Sequence, residues 1–195
     1  MKILTKSKIG NRILDILILR YLVLSGFLGV YIRWGNLVGD FTSQEFHDHI
    51  QRHSAKELDW EPFEKQASLD EQYRRGHVRM VGASITGKHF EPGTITANHF
   101  TLSVMTMPSG AVAPSHAHEV EEVFFVLKGE ITAWWERQDG SREETVLNEK
   151  EMIFAPAGVM HGLLNHTDDD VEVQVIIGVG KPEKPTYLDE TLAGS

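Results

Sequence analysis

The run "SHAHEVEEVFF", from Ser115 to Phe125, places His116 and His118 one residue apart, sets Glu122 four residues beyond the second, and follows it with bulky apolar residues. Strand side chains alternate faces with a period of two, so an H-x-H pair on an extended segment turns both imidazoles to one side. By itself that arrangement serves equally as a metal clamp or as a surface pattern. The same period carries Phe124 and Val126 to the face of Glu122, toward whatever interior the strand encloses.

Outward from this run the chain reads as short strands separated by turn signals. "NHFTLSVMTM" (Asn98 to Met107) alternates Phe100, Leu102 and Val104 against Thr101, Ser103 and Met105, the period of a half-buried strand. "EVFFVL" (Glu122 to Leu127) and "ITAWWE" (Ile131 to Glu136) flank Lys128-Gly129, which predicts a hairpin, and Asp139-Gly140 predicts another into "REETVL" (Arg142 to Leu147). Further strands are expected at Met152 to Phe154, His161 to Leu164 and "VEVQVIIGV" (Val171 to Val179). Many short strands without a helical pattern among them predict an all-β antiparallel sandwich or barrel. Upstream, "TSQE" (Thr42 to Glu45) has the capping-box pattern and predicts a helix over about 43 to 53, with His47, His49 and His53 solvated. Asp59 to Asp70 is acidic and irregular, pinned to the domain by Trp60, Pro62 and Phe63. The tail "KPEKPTYLDETLAGS" reads as an extended surface arm.

The chain has 195 residues, 41% apolar and 24% charged, enough for one domain with extensions and a real core. A formal net charge of -9 argues against nucleic acid, whose phosphates are held by clustered Lys and Arg. The sequence contains no cysteine, which excludes disulfides, thiolate metal sites and a cysteine nucleophile, and which fits a cytoplasmic location. Ile13 to Trp34 is strongly apolar and follows Lys2, Lys6, Lys8 and Arg12. Asp15 and Arg20 interrupt it, leaving an uninterrupted stretch shorter than a bilayer span, so a buried or dimer-burying helix is expected over a membrane anchor.

A second block completes the pattern opened by the histidine pair. Gly110, His116, His118, Glu122 and Gly129 are followed downstream by Pro156, Gly158, His161 and Asn165, the last four in a P-x-G-x-x-H-x-x-x-N run. Both spacings are those of the two motifs that define cupins, and residues 77 to 180 resemble a single-domain member of that superfamily. One position departs from the pattern: Lys150 stands where the second motif usually opens with a glycine. The resemblance implies a double-stranded β-helix, a jelly-roll barrel, with an N-terminal helical extension. The expected divisions are an apolar segment over 1–40, a helical or irregular extension over 41–76, the barrel over 77–181 and a tail over 182–195.

It also implies a metal site of His116, His118, Glu122 and His161. In that reading two imidazoles share a strand face, the carboxylate arrives from the adjoining strand and the third imidazole from a separate hairpin. Three nitrogens and an oxygen suit a borderline divalent ion such as Fe, Mn, Ni, Cu or Zn, with coordination positions left for reactants. Gly110, Gly129 and Gly158 read as turn residues, and Asn165 as a motif residue although it heads a glycosylation-like N-x-T. Phe124, Val126, Met105, Trp135 and Gln174 are the expected pocket side chains; no arginine or lysine is expected inside, and an apolar or aromatic substrate follows. The function expected is a mononuclear non-haem oxygenase, a dioxygenase, with Glu122 as the catalytic residue. Alternatives are a non-catalytic ligand-binding or sensory cupin and a metal-dependent isomerase or lyase. A homodimer is the expected assembly.

Overall fold

A computed structural model describes residues 40–83 and 93–192. The chain divides into two compact units at His49 and Ile50. In the first, the described residues carry α1 (Ser43–Asp48), whose capping box is complete: Glu45 N donates to Thr42 Oγ1, and the Glu45 carboxylate accepts from Thr42 N. The helix stops short of the expected residue 53. None of its residues is buried, and a single turn without a packed face gains little from propagation. His47, His49 and His53 are exposed. The apolar stretch Ile13–Trp34 lies outside the described residues, among which no helix is long and apolar enough to cross a membrane.

The second unit opens with helical turns at His53–Ala55 and Glu61–Phe63, α2 (Glu64–Leu69) and a turn at Glu71–Tyr73, and then becomes β structure. Its strands are β1 (Gly76–Val81), β2 (Thr101–Met107), β3 (Val112–Ala117), β4 (Glu122–Lys128), β5 (Ile131–Glu136), β6 (Arg142–Leu147), β7 (Met152–Ala155), β8 (Met160–Leu164), β9 (Val171–Ile177) and β10 (Thr186–Tyr187). They form two five-stranded antiparallel sheets, β1-β2-β9-β4-β7 and β10-β3-β8-β5-β6. This is a jelly roll. Asp139-Gly140 does join a paired hairpin, with Ile131 opposite Leu147 and Glu136 opposite Arg142. Lys128-Gly129 does not: β4 pairs with β7 and β9 while β5 pairs with β6 and β8, so the chain changes sheets at Gly129 instead of doubling back.

Register fixes what each rung of the first sheet contributes to the interior. Thr101, Ile177 and Glu122 share one rung; Ser103, Val175 and Phe124 the next; Met105, Val173 and Val126 the one after; Met107 and Val171 close the series. The far rungs pack with Ile131, Leu147 and Leu163 into an apolar core. At the near end the inward face of β2 is Thr101, Ser103 and Met105, whereas Phe100 is exposed. The apolar parity of that strand therefore points away from the interior, where a cavity takes in Thr101 and Ser103 beside apolar neighbours. In the second sheet Gly162 lets Trp134 lie flat on β8; a Cβ at that position would stand 2.4 Å from the indole. The tail is not a free arm. β10 pairs with β3, placing Tyr187 opposite His116, and Leu192 is buried.

Candidate metal centre

Each proposed ligand reaches the interior by a different route. His116 lies on β3 opposite His161 on β8, His118 follows the end of β3, and Glu122 opens β4 in the facing sheet. The three imidazoles converge on one carboxylate oxygen. Glu122 Oε2 is 2.8 Å from His161 Nε2, 3.4 Å from His116 Nε2 and 3.5 Å from His118 Nε2. Ligand atoms of His116, His118 and Glu122 lie within 4.8 Å of one another. The cluster is sequestered, with His118, Glu122 and His161 exposed by 6%, 3% and 2%.

The outer nitrogens of two rings are already committed. His116 Nδ1 donates to Pro114 O and His161 Nδ1 to Val159 O, each at 2.8 Å. A neutral imidazole that donates from Nδ1 carries a lone pair on Nε2, so two lone pairs and a carboxylate oxygen face one another at hydrogen-bond range or little beyond. Acceptors brought together in this way need a cation between them, a proton on a ring or a metal ion. A divalent ion fits the donor set, and His116, His118, His161 and Glu122 are the residues that would hold it. Burial acts to raise the Glu122 carboxyl, but its contacts with His116 and His161 overcome that and hold it well below the usual carboxylate range. Burial brings His118 down to about 4, against the pull of Glu122.

The cluster opens onto a cavity of about 50 Å³. Of the five pocket side chains expected, Met105 and Phe124 are in its wall. The other three are elsewhere. Val126 is fully buried one rung deeper, in the apolar core. Trp135 pairs with His161 across β5 and β8 but remains 40% exposed and does not reach the wall. Gln174 alternates with the buried Val173 and Val175, so it faces away from the interior.

The wall also holds residues that the sequence alone did not reveal. Arg75, just before β1, and His77 and Arg79 on it line the cavity, together with Phe63 and Tyr187 from the segments flanking the barrel. The expectation that no arginine enters the interior is thus corrected. The signal was the alternation "RRGHVRMV", in which His77 and Arg79 share a face opposite Val78 and Met80; that pattern looks like a solvent face, but here it turns inward. Asn165 is fully buried, its amide donating to Met107 O, Pro108 O and Asp169 O and its oxygen accepting from Thr167, so it serves as an internal brace.

Comparisons with known proteins bear on the fold. Residues 103–177 match the family model described as Cupin domain. No curated protein sequence matches the chain. Among solved structures, an oxalate oxidase superposes with a TM-score of 0.54 at 18% identity, over 82% of this chain and 70% of that one. Peruvianin-I, a cysteine peptidase from Thevetia peruviana latex, gives a TM-score of 0.51 at 15% identity, over 73% and 77%. The DMSP lyase DddQ from Ruegeria pomeroyi DSS-3 gives 0.47 at 23% identity over 58% of this chain; the match spans only 51% of that protein. At such identities the likeness concerns the fold.

Proposed function

From the premise that residues 103–177 form a cupin domain, we propose that this chain is a mononuclear metal-dependent oxygenase, a dioxygenase, acting on a small organic substrate. The observation that carries the reading is the convergence of three imidazole nitrogens on one buried carboxylate oxygen beside a cavity. A divalent ion held by His116, His118, His161 and Glu122 would supply Lewis acidity, and redox chemistry if it were iron or manganese.

The protein's own groups do the rest. Pro114 O and Val159 O hold His116 and His161 in the tautomer whose Nε2 faces inward. Glu122, held well below the usual carboxylate range, stays ionised near neutrality and balances positive charge at the centre. Phe124, Met105, Val175 and Ile177 keep the near rungs dry, which strengthens every electrostatic interaction among them. The peptidase activity named for peruvianin-I does not transfer as thiol chemistry, because this chain has no cysteine.

The test begins with protein purified without chelators and analysed for metal. Metal-free protein is then reconstituted anaerobically with Fe(II) or Mn(II), and oxygen uptake is measured over catechol-like, gentisate-like, diketone and simple carboxylate substrates. The proposal expects about one ion per chain and substrate-dependent oxygen consumption. A fully loaded protein that consumes no oxygen across the panel overturns the oxygenase reading.

A further inference from the structure

Much of the cavity wall is apolar, with Phe63, Met105, Phe124, Val175 and Ile177 in it. Against such a lining a single well-placed hydroxyl decides how a ligand lies. Tyr187 supplies one. It belongs to the same wall, its backbone pairs opposite His116, and its ring stands beside that imidazole with centroids 5.9 Å apart.

What that hydroxyl offers is fixed from behind. Gln66 on α2 is buried and takes no part in the wall. Its side-chain oxygen accepts from Arg75 Nη2 at 2.7 Å. A guanidinium has hydrogens to give and no lone pair, so the amide has one orientation here, oxygen toward Arg75 and nitrogen toward Tyr187. Arg75 is held in turn, since its Nη1 donates to Tyr73 O and Val112 O and its guanidinium stacks on the Phe63 ring. Gln66 Nε2 therefore donates to the Tyr187 hydroxyl oxygen, at 2.8 Å. A phenol keeps its proton near neutrality, so the same hydroxyl still has one hydrogen to give. With a lone pair turned to Gln66, that hydrogen points away from the amide, and among the described residues no acceptor meets it. A hydroxyl that already accepts is polarised into a stronger donor, and an unmet hydrogen of this kind is ordinarily matched by a ligand or water.

We propose that Tyr187 is a substrate-binding residue, its hydroxyl donating to the carbonyl oxygen of a small, largely apolar substrate that lies against Phe124 and Met105. Gln66 is a positioning residue, acting through Tyr187 by turning the phenol hydrogen into the cavity. A neutral donor in an apolar wall suits a neutral acceptor, which makes the substrate class a ketone or a related carbonyl compound. The proposal names the substrate class of the metal-dependent reading and rests on that reading for the chemistry, but the hydrogen bond forms without the metal.

Chelator-treated full-length protein is titrated with acetone and cyclopentanone by ligand-observed NMR, with xenon as an oxygen-free probe of the same cavity. Wild-type protein is expected to bind the ketones, and Tyr187→Phe to bind them about fivefold more weakly with xenon affinity kept. Gln66→Glu is the diagnostic variant. Its carboxylate still pairs with Arg75 but accepts the phenol hydrogen, drawing it away from the cavity. Ketone binding is therefore expected to fall as far as in Tyr187→Phe, and the double variant to fall no further. Ketone affinity unchanged in Tyr187→Phe overturns the proposal, as does affinity kept in full by Gln66→Glu or losses that add in the double variant. So does a parallel loss of xenon, which makes the effect one of shape, or a wild-type chain that binds neither ketone. Should Tyr187→Phe fail to fold, Gln66→Glu decides alone. Hydroxyl-dependent ketone binding in a protein that consumes no oxygen upholds Tyr187 and sinks the oxygenase reading alone; oxygen consumption with ketone affinity indifferent to Tyr187 does the reverse.

Discussion

His161 shows how much one side chain does here. Its Nδ1 is anchored to Val159 O and its Nε2 lies nearest the Glu122 oxygen, so His161→Ala removes a proposed ligand and also the carboxylate's closest partner among the imidazoles. Metal affinity is expected to fall well over tenfold, with the far-ultraviolet spectrum nearly unchanged because the apolar core lies on deeper rungs. Unchanged metal content in the purified variant would remove His161 from the site. Acid sensitivity is set by single residues as well. Burial holds His77 down at about 3 and His118 at about 4, both below the 6.5 of an exposed imidazole. The unfolded chain therefore binds protons that the folded chain refuses. The stability of the metal-free protein is full above about 6.5 and is lost as pH falls from there toward 4 for His118 and toward 3 for His77, at up to about 1.4 kcal/mol per pH unit for each. Urea midpoints measured between pH 7 and 4.5 check this, and a flat profile contradicts it.

At the scale of elements, the strands whose alternation matches their burial were readable from sequence, as in β9, where Val171, Val173, Val175 and Ile177 all face inward. The four converging side chains were readable for a related reason: their spacing is local to two short blocks, and the turns beside them need particular backbones. Gly110, Gly129 and Gly158 take φ of 73°, 83° and 77°. β1 and the near end of β2 escaped because polar residues on an inward face and polar residues facing water write the same alternation. Only the closing of the barrel decides between them. Lys150 is a different case, since it stands where a glycine was expected and adopts φ 69° in the β6–β7 turn, the one described non-glycine residue in that region. The turn geometry persists at the cost of a crowded Cβ. Lys150→Gly is expected to leave metal content unchanged and to raise stability by a few tenths to about 1 kcal/mol, a net of relieved strain against added chain entropy. A lower urea midpoint for this variant would show that Lys150 is not strained.

Across the whole second unit, the segments before and after the barrel meet at the cavity. Gln66 on α2 accepts from Arg75 Nη2 at 2.7 Å and donates to the Tyr187 hydroxyl at 2.8 Å, so one buried amide ties the helical flank, the first strand and the last strand together. Tyr187 in turn stands beside the His116 ring, with centroids 5.9 Å apart. Gln66→Ala leaves Arg75 and Tyr187 short of partners inside the protein and is expected to cost about 1–3 kcal/mol, read as a lower urea midpoint together with faster hydrogen exchange in β10. No change in either would mean that water replaces the amide without loss. The contacts of Tyr187 were not readable from the sequence, because they join segments far apart in the chain and depend on β10 turning back onto β3.

This arrangement separates two kinds of inheritance. The imidazoles and their carboxylate lie between residues 116 and 161, whereas Phe63, Arg75, His77, Arg79 and Tyr187 come from stretches of chain outside that interval. Substitutions in the flanking stretches therefore change the lining of the cavity without replacing any of the four converging side chains.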